Sequence, residues 1–463
     1  MRARALPTSD PQAILATVHP GTASYRTQRI PLYSPRQLIE STAGPEDWMG
    51  HAAFLDRARQ ELEQGRETSS RVCLAGYLVQ RLIDRLERLP GTEEDQESFQ
   101  WQLQGVRRYL EELPDELPDS EHLRGLLRAL NHPASNRPAT LRMSLSAFAY
   151  YLEHEGRYEE ALDLVSQATR TFGASIPLDE CPRLALEIAR LNRRLARWSR
   201  ANEAYSAAEQ AARVLGDERS VLLSRLGRGN VLRGQGNLPA ARMAVDGVIA
   251  DATAHDLTEV LGRAYADLGA ILALQGQQLD SLVAQYRAFE YAPDYVTRCR
   301  ALGDVAVSLR ALGVNDVARQ AFEIVLDSKA SFNVKANAAV ELMELEAAEG
   351  DRIAFERRRQ TARGLEAKMP PTMAVDFRYK QGLGLAHFGQ LTQARRELRE
   401  AMALAERHQL NEWYFRLERV LESLDESPTV AAPTPTARVE LLETPALAEV
   451  AAGLRRYAEM ATA

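Results

Sequence analysis

Lysine is almost missing from this chain of 463 residues. Among 57 basic residues only Lys329, Lys335, Lys368 and Lys380 are lysines, so nearly all positive charge is arginine. That bias, with abundant alanine and leucine, points to a GC-rich bacterial genome and says nothing about activity. Cysteine is scarce as well. Cys73, Cys181 and Cys299 lie far apart, with no CxxC and no Cys/His metal spacing. A disulfide framework is therefore not expected, and a reducing cytoplasm is the simple compartment. No run of about 18 apolar residues occurs, so no membrane span is expected. Arg2 and Arg4 are not followed by an apolar segment, so no signal peptide is expected either. The net charge of −7 gives no global basic balance, and direct nucleic-acid binding is not expected.

What the chain does have is a repeat. From Leu145, apolar residues at Leu145, Phe148, Ala149 and Leu152 mark one helix face. Gly156 ends that helix. A second helix then turns Ala161, Val165 and Ala168 inward. The pattern returns around Ala196 with Trp198, Ala201, Tyr205 and Ala208, and around Gly236 with Leu232, Leu238, Ala241 and Val245. It returns again around Gly276, around Gly313 with Ala306, Leu309, Ala318 and Phe322, around Gly350, and around Gly389 with Leu385, Leu391 and Ala394. Turn anchors at 156, 196, 236, 276, 313, 350 and 389 set a period of about 37–40 residues. Three positions depart from the pattern: Ala196 stands at a turn, and Ser281 and Phe355 replace the small residue early in the second helix.

These positions resemble the tetratricopeptide repeat family: small then large in the first helix, glycine at the turn, alanine early in the second. The long period is similar to repeats of bacterial signalling and transcriptional regulators. The resemblance covers about residues 140–424. It implies an all-α fold, an α-solenoid of tandem helix-turn-helix hairpins forming a superhelix. Residues 1–45 carry Pro7, Pro11, Pro20, Pro31, Pro35 and Pro45 and read as extended or poorly ordered. Residues 46–139 read as helical, either degenerate repeats or a separate small domain, with atypical terminal repeats the favoured reading. Residues 425–438 form a Pro/Thr/Ala linker, and 439–463 an amphipathic helix.

Catalysis finds little support. HExxH, GxSxG and GxxxxGK are absent. No histidine stands at metal-ligand spacing, and Glu93-Glu94-Asp95 falls at an expected helix start where acids complement the macrodipole. Gly227, Gly229, Gly234 and Gly236 resemble a phosphate loop, but they occupy repeat positions that need small residues, and no strand precedes them. No enzyme activity, cofactor or metal is expected.

In the tetratricopeptide family the first helix of each hairpin lines the concave groove. Counting back from each turn gives the groove-facing residues that the resemblance implies. In the first three hairpins these include Met143, Tyr150 and Glu153, then Arg183, Arg190, Arg193 and Arg194, then Leu226, Asn230 and Arg233. Later hairpins contribute Arg263, Arg300, Arg310, Val340, Glu344, Asp376, Tyr379 and Leu383. Arginine forks suit carboxylates, an asparagine can hold a peptide backbone, and tyrosines pack beside apolar side chains. The candidate site is therefore Tyr150, Arg183, Arg190, Arg193, Arg194, Asn230, Arg233, Arg263, Arg300, Arg310 and Tyr379. The expected partner is a protein or peptide segment, acidic or bearing a C-terminal carboxylate. The leading function is a non-enzymatic scaffold or adaptor. The alternatives are a peptide-responsive regulator acting on a separate transcriptional or catalytic effector, and an enzyme with an unfamiliar site before residue 140.

Overall fold

The computed structural model describes residues 50–87, 93–114, 117–131, 137–172, 176–408, 410–426 and 445–462. The expected extended segment 1–45 and nearly all of the expected linker lie outside them. The described residues form twenty α-helices and two single 3-10 turns, with no strand. They group into two compact units, 1–235 and 236–463, divided at the turn of the third hairpin.

The first unit holds α1 (Ala52–Glu63), α2 (Glu67–Glu87), α3 (Glu93–Glu111), α4 (Pro118–Leu130) and α5 (Arg137–His154). It continues with α6 (Tyr158–Phe172), α7 (Cys181–Arg194), α8 (Trp198–Leu215) and α9 (Glu218–Gly234). The second unit begins with α10 (Leu238–Ala254), α11 (Thr258–Leu274), α12 (Gln278–Glu290), α13 (Tyr295–Ala311), α14 (Asn315–Asp327) and α15 (Phe332–Ala348). It ends with α16 (Arg352–Leu365), α17 (Pro371–His387), α18 (Leu391–Arg407), α19 (Asn411–Glu426) and α20 (Pro445–Thr462). Stacked antiparallel hairpins, the all-α class expected from the repeat, make up both units.

The local cause is the same at every turn. All seven expected anchors take left-handed backbone, from Gly156 (φ 75°) to Gly389 (φ 76°), and Ala196 does so without being glycine (φ 54°). At six of the seven, Gly236 excepted, the following amide then reaches back to close the helix end, as Arg157 N–H does to Leu152 O (2.9 Å) and Gln390 N–H to Leu385 O (2.8 Å). This is the six-to-one bond of a Schellman cap. Gly65 (φ 72°) closes α1 the same way, with Arg66 N–H on Glu61 O at 2.9 Å. The α1–α2 pair is thus a hairpin with the repeat's own turn, which the sequence reading had not placed.

Just past each turn the small residue is sealed between helices. Ala161, Ala201, Ala241, Ala318 and Ala394 are fully buried. Ser281 is also fully buried and donates its hydroxyl to Gly269 O at 2.8 Å. Phe355 fits where alanine is usual because Gly384 of α17 leaves the room: a Cβ there would lie 2.4 Å from the Phe355 ring. Gly227 and Gly234 likewise admit the rings of Tyr205 and Trp198, so that glycine cluster is used for helix packing. Tyr265 stacks on Tyr291, with ring centroids 5.7 Å apart.

One core runs through the first unit from Phe54 to Val231, with no gap at residue 140. Polar contacts tie its N-terminal helices to the repeats. Arg157, at the first turn, reaches Asp119 of α4 (2.5 Å) and Glu160 (2.6 Å), and Tyr151 donates to Asp119 at 2.9 Å. His51, the N-cap of α1, has a fully buried ring set between Asp163 of α6 (2.8 Å) and Asp84 of α2 (3.0 Å). Burial opposes charge on this ring, but the hydrogen bonds to Asp163 and Asp84 outweigh it and push the pKa up to about 9.

Two outcomes follow from these contacts. A histidine pKa raised in the fold stabilises it fully below the unfolded value and loses that contribution as pH rises through the folded one. A shift of this size is worth on the order of 3 kcal/mol. Denaturation curves of the wild type should therefore weaken between about pH 6.5 and pH 9, and His51→Gln should flatten that slope; an unchanged slope would contradict the clamp. Ala196→Gly should stabilise by roughly 0.5–1 kcal/mol, because relief of left-handed strain exceeds the extra unfolded-state entropy of glycine. Thermal melting tests the sign.

Candidate functional site

The first helices carry the residues selected from the sequence. In the first unit, Tyr150 on α5 is exposed and, with exposed Met143 two turns earlier, offers apolar surface; its ring also leans on His154 at 4.2 Å. Arg183, Arg190, Arg193 and Arg194 lie on α7, and Asn230 and Arg233, both half-buried, lie on α9. Leu226 was counted as groove-facing but is buried in the core. The arginines do not stand as bare charge. Arg190 grips Glu153 of α5 through Nε (2.9 Å) and Nη2 (2.8 Å). Arg183 pairs with Glu187 at 2.6 Å. Arg194 is exposed, and Arg193 is half-buried.

In the second unit, Arg263 on α11 pairs with Glu259 at 2.8 Å, and Arg300 on α13 is exposed. Arg310 opens a larger network across three first helices. It approaches Glu341 (3.2 Å) and Glu344 (3.3 Å) of α15. Lys380 of α17 meets the same Glu341 (2.5 Å) and Glu344 (3.2 Å), and also Asp376 at 3.1 Å. Glu341 and Lys380 are nearly buried. Burial works against the Lys380 charge, but the three carboxylates around it hold its pKa well above the usual lysine value. Burial raises the Asp376 carboxyl, with Lys380 opposing. Val340, next to Glu341 in the chain and counted as groove-facing, is fully buried. Sequence reasoning passed over Lys380 and Glu341, although Lys380 is one of only four lysines.

Beside this network lies an open cavity of about 370 Å³ between α17 and α19. Tyr379, Leu383, Val420, Ser423 and Leu424 line it together with Arg416 and Arg419. Trp413 fixes the wall: the Tyr379 ring meets it edge-on at 5.6 Å, and the Arg416 guanidinium sits 4.8 Å over it. Arg416 and Arg419 are exposed and belong to α19, beyond the last expected hairpin turn, so counting back from turns could not reach them.

The described residues show little reactive chemistry. Burial pushes the Cys73 thiol up to about 12 and the Cys181 thiol to about 11, which leaves little thiolate near neutrality. No group of three or more His, Cys, Asp or Glu among the described residues is placed to hold a metal, and no described helix is long and apolar enough to cross a membrane.

No protein-family model matches the chain, and no curated protein does. Among solved structures, the chain is similar to the Rap conjugation gene regulator of the plasmid pLS20 in complex with the Phr* peptide. That match has 13% identity and a TM-score of 0.47, over 76% of this chain and 98% of that one. It is also similar to a Rap protein complexed with Competence and Sporulation Factor, at 10% identity and a TM-score of 0.41, over 76% and 98% of the two chains. The apo form of RapI gives 10% identity and a TM-score of 0.39, over 77% and 100%. At such identities the likeness is one of helical fold alone.

The Arg310–Glu341–Lys380–Asp376 network generates a prediction. Removing one partner of a buried ion cluster leaves the others uncompensated, at a cost of about 3–5 kcal/mol. Lys380→Met should lower stability by about that much at pH 7, read by denaturant unfolding. The deficit should shrink as pH falls, because the stranded carboxylates can then take up protons. A deficit independent of pH would show that the network is not the cause.

Proposed function

We propose that this protein is a non-enzymatic binder of a peptide segment, with the α17–α19 cavity as the anchoring pocket. One observation carries the reading: an open cavity with an apolar floor (Leu383, Val420, Leu424), an aromatic wall (Tyr379) and two arginines (Arg416, Arg419). A floor of this kind takes an apolar side chain, and planar guanidinium donors take a carboxylate beside it. The ligand that satisfies both is a C-terminal apolar residue with its free carboxylate, or an acidic residue next to an apolar one.

In this reading the selected arginines divide into two roles. Arg183, Arg190, Arg263 and Arg310 serve largely as partners of Glu187, Glu153, Glu259 and Glu341, and so order the first helices. Exposed Arg300 is left for a secondary contact along a longer segment. Because each hairpin contacts mainly its neighbours, occupancy can be passed along a stack as a small change of angle. That suits a regulator acting on a separate effector as well as a scaffold.

The test is a peptide array read by fluorescence anisotropy, with each sequence synthesised once as the free acid and once as the C-terminal amide. Free acids ending in an apolar residue should bind more tightly than their amides. The double variant Arg416→Glu, Arg419→Glu should lose roughly 10- to 100-fold in affinity, the worth of charge-assisted hydrogen bonds. Equal binding of acids and amides, or of wild type and variant, would remove the pocket from the proposal.

A further inference from the structure

Helix α20 lies against α12 and α14, the second helices of two successive hairpins. It inserts Leu447, Val450 and Leu454 among Leu282, Tyr286, Phe289 and Leu302 of the same core. Tyr457, three residues on, meets the Phe289 ring edge-on at 5.1 Å. Glu449 sits 3.7 Å from Arg287. The closest fit is at Gly453, where a Cβ would come 1.8 Å from the Tyr286 hydroxyl. The seat therefore selects a helix in three ways: apolar residues at i, i+3, i+7 and i+10, no side chain at i+6, and an acid facing Arg287.

The footing is narrow. Among its described side chains α20 buries four residues, Leu447, Val450, Gly453 and Leu454, whereas the repeat helix α15 buries ten. The sequence that joins α20 to α19, residues 427–444, is rich in Pro, Thr and Ala. A tether of that length gives the attached helix a local concentration in the millimolar range, enough to fill a seat of modest affinity. The same contact made by a separate molecule would compete at a disadvantage.

We propose that the α12–α14 face is an exchangeable docking site for an amphipathic helix with glycine at its centre, and that the chain's own tail helix occupies it in cis. A second helix of the same pattern gains the site only when the tail leaves. The tail also ties two successive hairpins together through their second helices, so its release frees their mutual angle. This site is separate from the α17–α19 pocket and stands without it.

The experiment uses full-length chains and a fluorescent peptide of residues 445–462. In Gly453→Val the added branch meets Tyr286 and the tail is expelled; Val450→Asp expels it by a second route. Both variants should keep the wild-type far-ultraviolet circular dichroism, since the repeats are untouched. The peptide should bind both variants saturably and wild type at least ten-fold more weakly. The same peptide carrying Gly453→Val should not bind the variants. Equal binding to wild type and variants, or no binding to either variant, would overturn the proposal. Light scattering gives the remaining outcome: a wild-type dimer lost in Gly453→Val would assign the occupant to a second copy of the chain and overturn occupancy in cis.

Discussion

Close approach of two helix backbones is the constraint on which every hairpin depends. It requires a left-handed residue to end the first helix and a small residue just after the second begins. Both requirements are steric, so they appear as fixed positions in the chain. Where one is broken, a neighbour compensates. Phe355 is large where alanine is usual, and Gly384 of α17 has no side chain opposite it. Ala196 takes left-handed backbone that suits glycine, and the Schellman bond from Arg197 N–H to Asn192 O (2.9 Å) holds it there. The Phe355 exception is met by a residue elsewhere, and the Ala196 exception is held by no more than the bond that the glycine turns also make; neither changes the fold.

Charge follows a different logic. Side chains on the first helices project toward neighbouring hairpins as well as outward. An arginine there meets whatever acid the next helix presents: Arg190 finds Glu153, and Arg310 finds Glu341 and Glu344. Arg183 and Arg263 pair with acids four residues away on their own helices, but for Arg190 and Arg310 helical register predicts the direction and not the acid, which comes from a different hairpin. A face that reads as positive in one helix can thus be compensated in three dimensions. The exposed pair Arg416 and Arg419 belongs to α19, where the hairpin pattern has stopped.

The N-terminal helices and the tail helix show how contacts distant in sequence complete the two units. His51 joins α1 to α2 and to α6 through two aspartates, the farther of them 112 residues away in sequence. Leu447, Val450 and Leu454 join the core of α12–α14 although a long tether separates them from it. Neither contact obeys the repeat. A lone histidine and a short amphipathic stretch are too common to identify their partners without coordinates.

The sequence by itself determined the helical class, the seven turns and the small residues that seal them, because each depends on sterics within a few residues of the chain. Met143 and Tyr150, counted by register as outward-facing, are exposed. Only the tertiary structure decided which arginines are matched by acids of other helices, that Leu226 and Val340 turn inward, and that Gly65 closes one more hairpin. It alone showed that an open cavity forms where α19 meets α17, and that the tail is seated on α12 and α14. Those outcomes depend on pairings between helices that the period does not encode.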